Sequence, residues 1–214
     1  MSSPQLSREE AISYWDHRHR AETDLRSGGH VGWDASANEA FYLRRTASIL
    51  EIIGDRFGTD DPLFALDAGC GKGAFCRALA KCGIIVDGID ASPEAIAYCR
   101  EHGNGRYEVA RLAEFRNPLL YDVVYSVDVL FHILEDDDWE ASLTNLASLV
   151  RLAGTLIVAD EARDRRRPAG NYIVHRPLSA YEAVLGPLGF TFRSFTPYAF
   201  RENAVGLLAY VRAH

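Results

Sequence analysis

The chain has 214 residues, enough for one domain with a sizeable core, and its 48% hydrophobic and 25% charged residues exclude a disordered chain. A formal net charge of −7 gives no general attraction to phosphate backbones, so no nucleic-acid partner is expected. No run of about 18 apolar residues is present to span a bilayer, and the opening Met1-Ser2-Ser3-Pro4-Gln5-Leu6 has no apolar core or cleavage-like site. A cytoplasmic protein without membrane contact is therefore expected. Cys70, Cys76, Cys82 and Cys99 form no CxxC pair and no zinc-like spacing. They are expected to be free, reduced and mostly buried, with no metal site.

In chain order, residues 11–20 and 37–53 read as helices, joined through the loop Ser27-Gly28-Gly29-His30-Val31-Gly32. Residues 63–68 read as the first strand, running into Gly69-Cys70-Gly71-Lys72-Gly73 and a helix over 74–81. Residues 84–89 form a second strand closed by Asp90. Ser92 then suits a helix N-cap and Pro93 the first helical position. Strands follow at 107–110 and 121–127. A long helix starts at Glu135-Asp136-Asp137-Asp138, with Leu143, Leu146, Leu149 and Val150 at helical spacing. A strand over 154–159, a helix over 178–188 and strands over 191–195 and 205–211 complete the chain. The short link between the last two strands requires an antiparallel pair. The expected fold is α/β: a doubly wound, mainly parallel seven-stranded sheet with a C-terminal antiparallel hairpin and an N-terminal helical cap. Residues 1–214 are expected to form one domain, with 1–60 as the cap and 61–214 as the core.

The stretch Asp67-Ala68-Gly69-Cys70-Gly71-Lys72-Gly73 places backbone N–H groups beside a ligand, in a turn that only glycines let approach closely. Asp90 ends the next strand beside the same crevice, where a carboxylate accepts from both hydroxyls of a ribose. Gly69-Cys70-Gly71-Lys72-Gly73-Ala74 also fits G-x-G-x-x-A, which keeps an NAD-binding oxidoreductase open. Against that stand the helical segment before the first strand and the lack of room for a second domain. The P-loop pattern is absent.

Leu66-Asp67-Ala68-Gly69-Cys70-Gly71-Lys72-Gly73 resembles motif I of class I S-adenosylmethionine-dependent methyltransferases. Gly88-Ile89-Asp90-Ala91-Ser92-Pro93, Tyr121-Asp122-Val123-Val124 with Val129-Leu130-Phe131-His132-Ile133, and Leu152-Ala153-Gly154-Thr155 resemble the motifs that follow. The resemblance covers about residues 63–211. It implies S-adenosylmethionine as cofactor, S-adenosylhomocysteine as product and methyl transfer to oxygen or nitrogen of a small-molecule acceptor. A protein that binds this cofactor for another purpose remains the alternative, and the chain is expected as a monomer or homodimer. The resemblance further implies that Gly69, Cys70, Gly71 and Gly73 line the cofactor, that Asp67 organises the loop, and that Asp90 with Ala91 holds the ribose. Where the family often places an acid near adenine this chain has Arg111, so Leu112 backbone or Glu114 is expected to serve there.

Methyl transfer requires alignment, exclusion of water and, for many acceptors, removal of a proton. His132, at the carboxyl edge of the fourth strand, is a candidate base or else a packing residue. Asp160 and Glu161 end the fifth strand; Glu161 is a catalytic candidate and Asp160 an acceptor-orienting one, with loop hydrogen bonding as the competing role. Tyr14, Trp15 and Arg18 on the first helix are expected to fold over the cofactor, with Arg18 on its carboxylate. Asn38, Tyr42, Arg44 and Arg45 form a candidate second wall, and Tyr42 is a substrate-site candidate. Arg163, Arg165, Arg166, Arg167, His175 and Arg176 could bind an anionic acceptor; the competing role is a solvated basic loop.

Overall fold

Alternate residues of the central strands divide between two cores. Ala65, Val123, Tyr125 and Ile157 pack on one face of the sheet, and Leu66, Val124, Leu156 and Val158 on the other. Both faces are covered, which is why these strands read as unbroken apolar runs. The computed structural model describes residues 5–22, 25–54 and 61–214. The expected cap boundary and residues 1–4 lie outside the described residues.

The strands are β1 (Phe64–Ala68), β2 (Ile85–Asp90), β3 (Tyr107–Val109), β4 (Tyr121–Ser126), β5 (Val150–Glu161), β6 (Arg167–Pro168), β7 (Val174–His175), β8 (Phe190–Pro197) and β9 (Val205–Arg212). Seven form one sheet in the order β3-β2-β1-β4-β5-β9-β8. β1 to β5 are parallel, and β9 is antiparallel to both β5 and β8. The doubly wound sheet with a C-terminal antiparallel pair is as expected. The helices are α1 (Arg8–Ala21), α2 (Ala35–Ile53), α3 (Ala74–Ala80), α4 (Pro93–His102), α5 (Asp136–Ser148) and α6 (Leu178–Leu185). α2, α3 and α4 contribute to the first core, α5 and α6 to the second.

The observed boundaries differ from the sequence expectation for local reasons. α1 starts at Arg8, not residue 11, because Ser7 and Glu10 form a capping box: Ser7 Oγ accepts from Glu10 N at 3.3 Å and Ser7 N donates to Glu10 Oε2 at 2.7 Å. α2 starts at Ala35 because Asp34 accepts from Ala37 N at 2.7 Å. α5 stops at Ser148. Val150 satisfies the apolar spacing from a strand instead, paired with Tyr121 while Tyr121 N donates to Leu149 O at 2.8 Å. α6 tightens into a 3-10 turn over Gly186–Leu188, where Pro187 cannot donate to the helix ladder.

No pattern of residues announces the small sheet of β6 and β7, a hairpin inserted between β5 and α6. Its anchor is Asp160, which is fully buried. The Asp160 carboxylate accepts from His175 Nδ1 (2.6 Å), Tyr181 Oη (2.6 Å), Glu161 N (2.7 Å) and Arg176 N (3.1 Å). Four donors satisfy a charge that burial would otherwise penalise heavily. Tyr181→Phe removes one charge-assisted bond at constant shape. It should lower unfolding free energy by about 2 kcal/mol in urea titration, with cofactor affinity unchanged.

Candidate active site

Strand order reverses between β1 and β4, which opens a crevice at the carboxyl ends of the strands. A cavity of ≈ 420 Å³ lies there, between the glycine loop below and α1 above. Gly69 N and Cys70 N both donate to Ile89 O, at 2.8 and 2.9 Å. Gly69 has φ +85°, and a Cβ there would collide with Val129. Asp90 spans the crevice, accepting from Gly71 N at 2.8 Å and Ser92 N at 2.9 Å.

α1 closes the cavity and is fastened at three places. Asp16 Oδ1 accepts from Ser92 Oγ at 2.7 Å and Glu94 N at 3.3 Å, and the Ser92 bond holds the Asp16 carboxyl below its ordinary range. Lys72 Nζ donates to Glu22 O at 2.7 Å. Arg8 pairs with Asp138 at 3.0 Å, and Asp138 also pairs with Arg111 at 2.7 Å.

Of the expected site residues, Gly69, Cys70, Gly71, Asp90, Ala91, Leu112, His132 and Tyr42 line the cavity. Gly73 does not; it is the left-handed N-cap of α3 (φ +71°). Asp67 lies behind the loop, 1% exposed, and accepts from Cys76 Sγ at 3.2 Å. Burial pushes its carboxyl up to about 7, and the negative charge of Asp90 adds to this. The basic position Arg111 is turned to Glu114 and Asp138.

Several expectations need correction. Tyr14 packs on Tyr172 and Trp15 outside the cavity, whereas Trp15 and His19 face inward. Arg18 donates to the carbonyls of Arg26 and Gly29 and holds the loop over the cavity, so it does not reach a cofactor carboxylate. Asn38 is buried and holds the same loop through His30 N (2.8 Å) and His30 O (3.0 Å). Arg44 donates to Tyr198 O. Asp160 and Glu161 do not line the cavity. Burial would raise the Glu161 carboxyl, but its bond to Arg167 (2.5 Å) and the charges of His175, Arg167 and Arg163 hold it below the ordinary range. His175 is buried against Asp160, and Arg176 pairs with Asp136 at 2.8 Å, so neither is placed to receive an acceptor.

Sequence reasoning missed Arg8, Ile12 and His19 in the wall, whereas Trp15, Tyr42 and Arg45 line it as expected. Arg8, Ile12, Trp15 and His19 recur at helical spacing on the inward face of α1, a periodicity that would have separated Trp15 and His19 from Tyr14 and Arg18. Arg45 lines the cavity, 1% exposed, beneath the faces of Phe41 and Tyr42 at 4.0 and 4.2 Å. Its Nη1 pairs with Asp128 at 2.5 Å, while its Nη2 has no hydrogen-bond partner among the described residues. Asp128 itself has φ +58° and accepts from Tyr198 Oη at 2.8 Å.

His132 ends a short 3-10 turn after β4. Its Nδ1 lies 2.9 Å from Tyr172 O, an atom that can only accept, so Nδ1 carries the proton and Nε2 the lone pair. Burial pushes the imidazole down to about 4, against the opposing pull of the Tyr172 carbonyl and Asp128. Among the described residues no group of three or more His, Cys, Asp or Glu is arranged to hold a metal ion, and no helix is long and apolar enough to cross a membrane.

Residues 65–154 match the family model of a methyltransferase domain. The matched segment holds the glycine loop, Asp90 and the parallel strands β1 to β4. The chain is 32% identical over 130 residues to a ubiquinone biosynthesis O-methyltransferase of Sinorhizobium medicae, covering 54% of this chain and 50% of that protein. The mitochondrial counterpart of Schizosaccharomyces pombe is 32% identical over 106 residues, covering 46% and 38%. The chain thus matches half or less of the length of these relatives. The fold is that of magnesium protoporphyrin IX methyltransferase from Synechocystis, solved with bound S-adenosylmethionine (TM-score 0.74, 22% identity, 99% of this chain and 100% of that one). It is likewise that of 1,6-didemethyltoxoflavin-N1-methyltransferase from Burkholderia thailandensis (TM-score 0.69, 18% identity, 100% and 94%).

The raised Asp67 makes a measurable pH signature. Its folded value near 7 lies above the unfolded value of about 3.9. Stability from this group is therefore full below about pH 4 and declines, by roughly 1.4 kcal/mol per unit, until about pH 7. The stability of Asp67→Asn relative to the parent, followed by urea titration of the cofactor-free protein, should rise across that window and level off above it.

Proposed function

We propose that this protein transfers the methyl group of S-adenosylmethionine to an oxygen or nitrogen atom of a small-molecule acceptor. The observation that carries the proposal is the cavity beneath α1, whose surface suits that cofactor from end to end. Leu112, Ala91, Ile133 and Leu134 give apolar walls for the adenine. The Asp90 carboxylate, held by two backbone amides, receives the ribose hydroxyls. The Gly69–Gly71 backbone and His19 mark the methionine end.

When bound, S-adenosylmethionine supplies a methyl group activated by its sulfonium. Trp15, Tyr42 and the loop carrying Gly28 enclose the reacting end and exclude water. The acceptor's nucleophilic atom takes the methyl carbon as the carbon–sulfur bond breaks, and His132 Nε2 takes the acceptor's proton. Arg163 and Arg167 are both paired with Glu161, and Arg166 and Arg176 with Asp136. These pairings favour an acceptor that is uncharged around its reacting atom over the anionic one considered from sequence.

Calorimetric titration with S-adenosylmethionine, S-adenosylhomocysteine and NAD tests the cofactor. The two sulfur nucleotides should bind and NAD should not; binding of NAD alone would overturn the proposal. Asp90→Ala should weaken S-adenosylmethionine by about 1–3 kcal/mol. Once an acceptor is found by S-adenosylhomocysteine release, the rate should hold down to about pH 5 and fall towards pH 4. Protonation removes the Nε2 lone pair, and burial sets His132 near 4 instead of the usual 6.5. His132→Gln should lower kcat by about a hundredfold and remove that acid limb. A variant that retains both rate and limb would exclude His132 as the base.

A further inference from the structure

We infer that the β6–β7 hairpin is a positioning device for His132: Asp160 and His175 pin it from behind so that the Tyr172 carbonyl fixes the proton of His132 on Nδ1 and leaves Nε2 free for the acceptor. The assignment rests on the proposed role of His132 in methyl transfer.

Each link is a contact in the structure. At the base of the hairpin, His175 Nδ1 donates to the buried Asp160 carboxylate at 2.6 Å, and Arg167 on the facing strand donates to Glu161 at 2.5 and 3.1 Å. Both strands are thus tied to the last two residues of β5. Ala169 N donates to Ile173 O at 3.0 Å and closes the turn between them. Tyr172 sits in that turn. Its carbonyl accepts from His132 Nδ1 at 2.9 Å, and its ring lies parallel to the imidazole, with centroids 5.5 Å apart and planes 6° apart. Phe131 fills the space between, 4.7 Å from His132 and 5.1 Å from His175. The cap meets the same turn, through Leu6 N donating to Asn171 O at 3.0 Å and Tyr14 packing on Tyr172 at 6.0 Å.

The Nε2 atom of His132 has no hydrogen-bond partner among the described residues, and it is not among the side-chain atoms sealed from solvent. Its surroundings therefore do not choose the tautomer; the Tyr172 carbonyl does. A solvated neutral histidine prefers the proton on Nε2, which is the wrong form for a base facing the cavity. The hairpin reverses that preference. His175 and Asp160 touch neither the cavity nor its contents, so they act through Tyr172 and are positioning residues.

The tautomer can be read without any acceptor. Long-range proton–nitrogen correlation spectra of the uniformly labelled protein near pH 7, with His132 assigned through His132→Gln, should show protonated Nδ1 and bare Nε2. His175→Ala should move His132 towards the Nε2–H pattern or an averaged one, and His175→Asn, whose amide can still donate to Asp160, should restore the parent pattern. Arg167→Ala, which cuts the other, more exposed tie, should move it in the same direction and serves if His175→Ala does not fold. Tyr181→Phe, which weakens Asp160 without touching the hairpin, should leave it alone. With an acceptor in hand, His175→Ala should lose about a hundredfold in kcat with the KM for S-adenosylmethionine unchanged. A parent His132 already protonated on Nε2, or a tautomer that ignores both hairpin variants, would overturn the inference. Failure of the protein to bind S-adenosylmethionine would instead overturn methyl transfer, and leaves the tautomer measurement standing.

Discussion

The carboxylate of Asp90 is the point on which the cavity and its cover depend. One oxygen takes the amide of Gly71 and the other takes the amide of Ser92. A single side chain at the end of β2 therefore holds both the turn leaving β1 and the start of α4. The turn can present that amide only because Gly69 and Gly71 adopt positive φ, of +85° and +50°. α1 builds on the same arrangement: Asp16 caps α4 through Ser92 and Glu94, and the His19 ring lies over the space where Gly71 has no side chain. Hydrogen bonds to charged groups are among the stronger ones in proteins. Floor, wall and cover of the site are thus joined through one anion that still has lone pairs for a ligand.

Charge around the site follows one pattern: cations near the reacting end are already matched within the fold. Arg45 is buried against Asp128 and flanked by aromatic faces, and Arg18 is turned onto backbone carbonyls. Glu161 gathers Arg163 and Arg167, while Asp136 gathers Arg166 and Arg176. What remains on the cavity wall there is aromatic and neutral: Trp15, Tyr42 and an imidazole that burial keeps uncharged. Such a lining suits the proposed methyl transfer, in which the positive charge of a sulfonium is dispersed and only one proton must move.

The sheet and the cofactor side were legible in the sequence because their signals are local. Apolar runs ending in Gly69-Cys70-Gly71 and in Asp90 report strand ends directly, and Ser92-Pro93 reports the helix start in two residues. The Ser7/Glu10 capping box was equally visible and would have placed the start of α1 correctly. The supports around the cavity were less legible because they are assembled by pairings distant in sequence. Nothing near Asp160 announces His175 or Tyr181 as its partners, and nothing near Arg18 announces the Gly29 carbonyl. Charged residues after β5 resembled a basic binding loop when read one at a time; the structure pairs them with Glu161 and Asp136. The small β6–β7 sheet has two residues in each strand, too few for any alternation to show.

The way the β6–β7 hairpin is attached has an evolutionary consequence. It leaves the main sheet after Glu161 and returns at α6, and it makes no strand pairing with the seven-stranded sheet. Its length and turn residues can therefore diverge without disturbing the register of β5 against β4 or β9. The crevice side of the fold is locked by glycine geometry and a shared carboxylate, whereas this insertion is fastened by side-chain pairs that substitution can exchange. Substitutions in this segment can therefore change what stands behind His132 while the register of the main sheet and the crevice at Asp90 stay as they are.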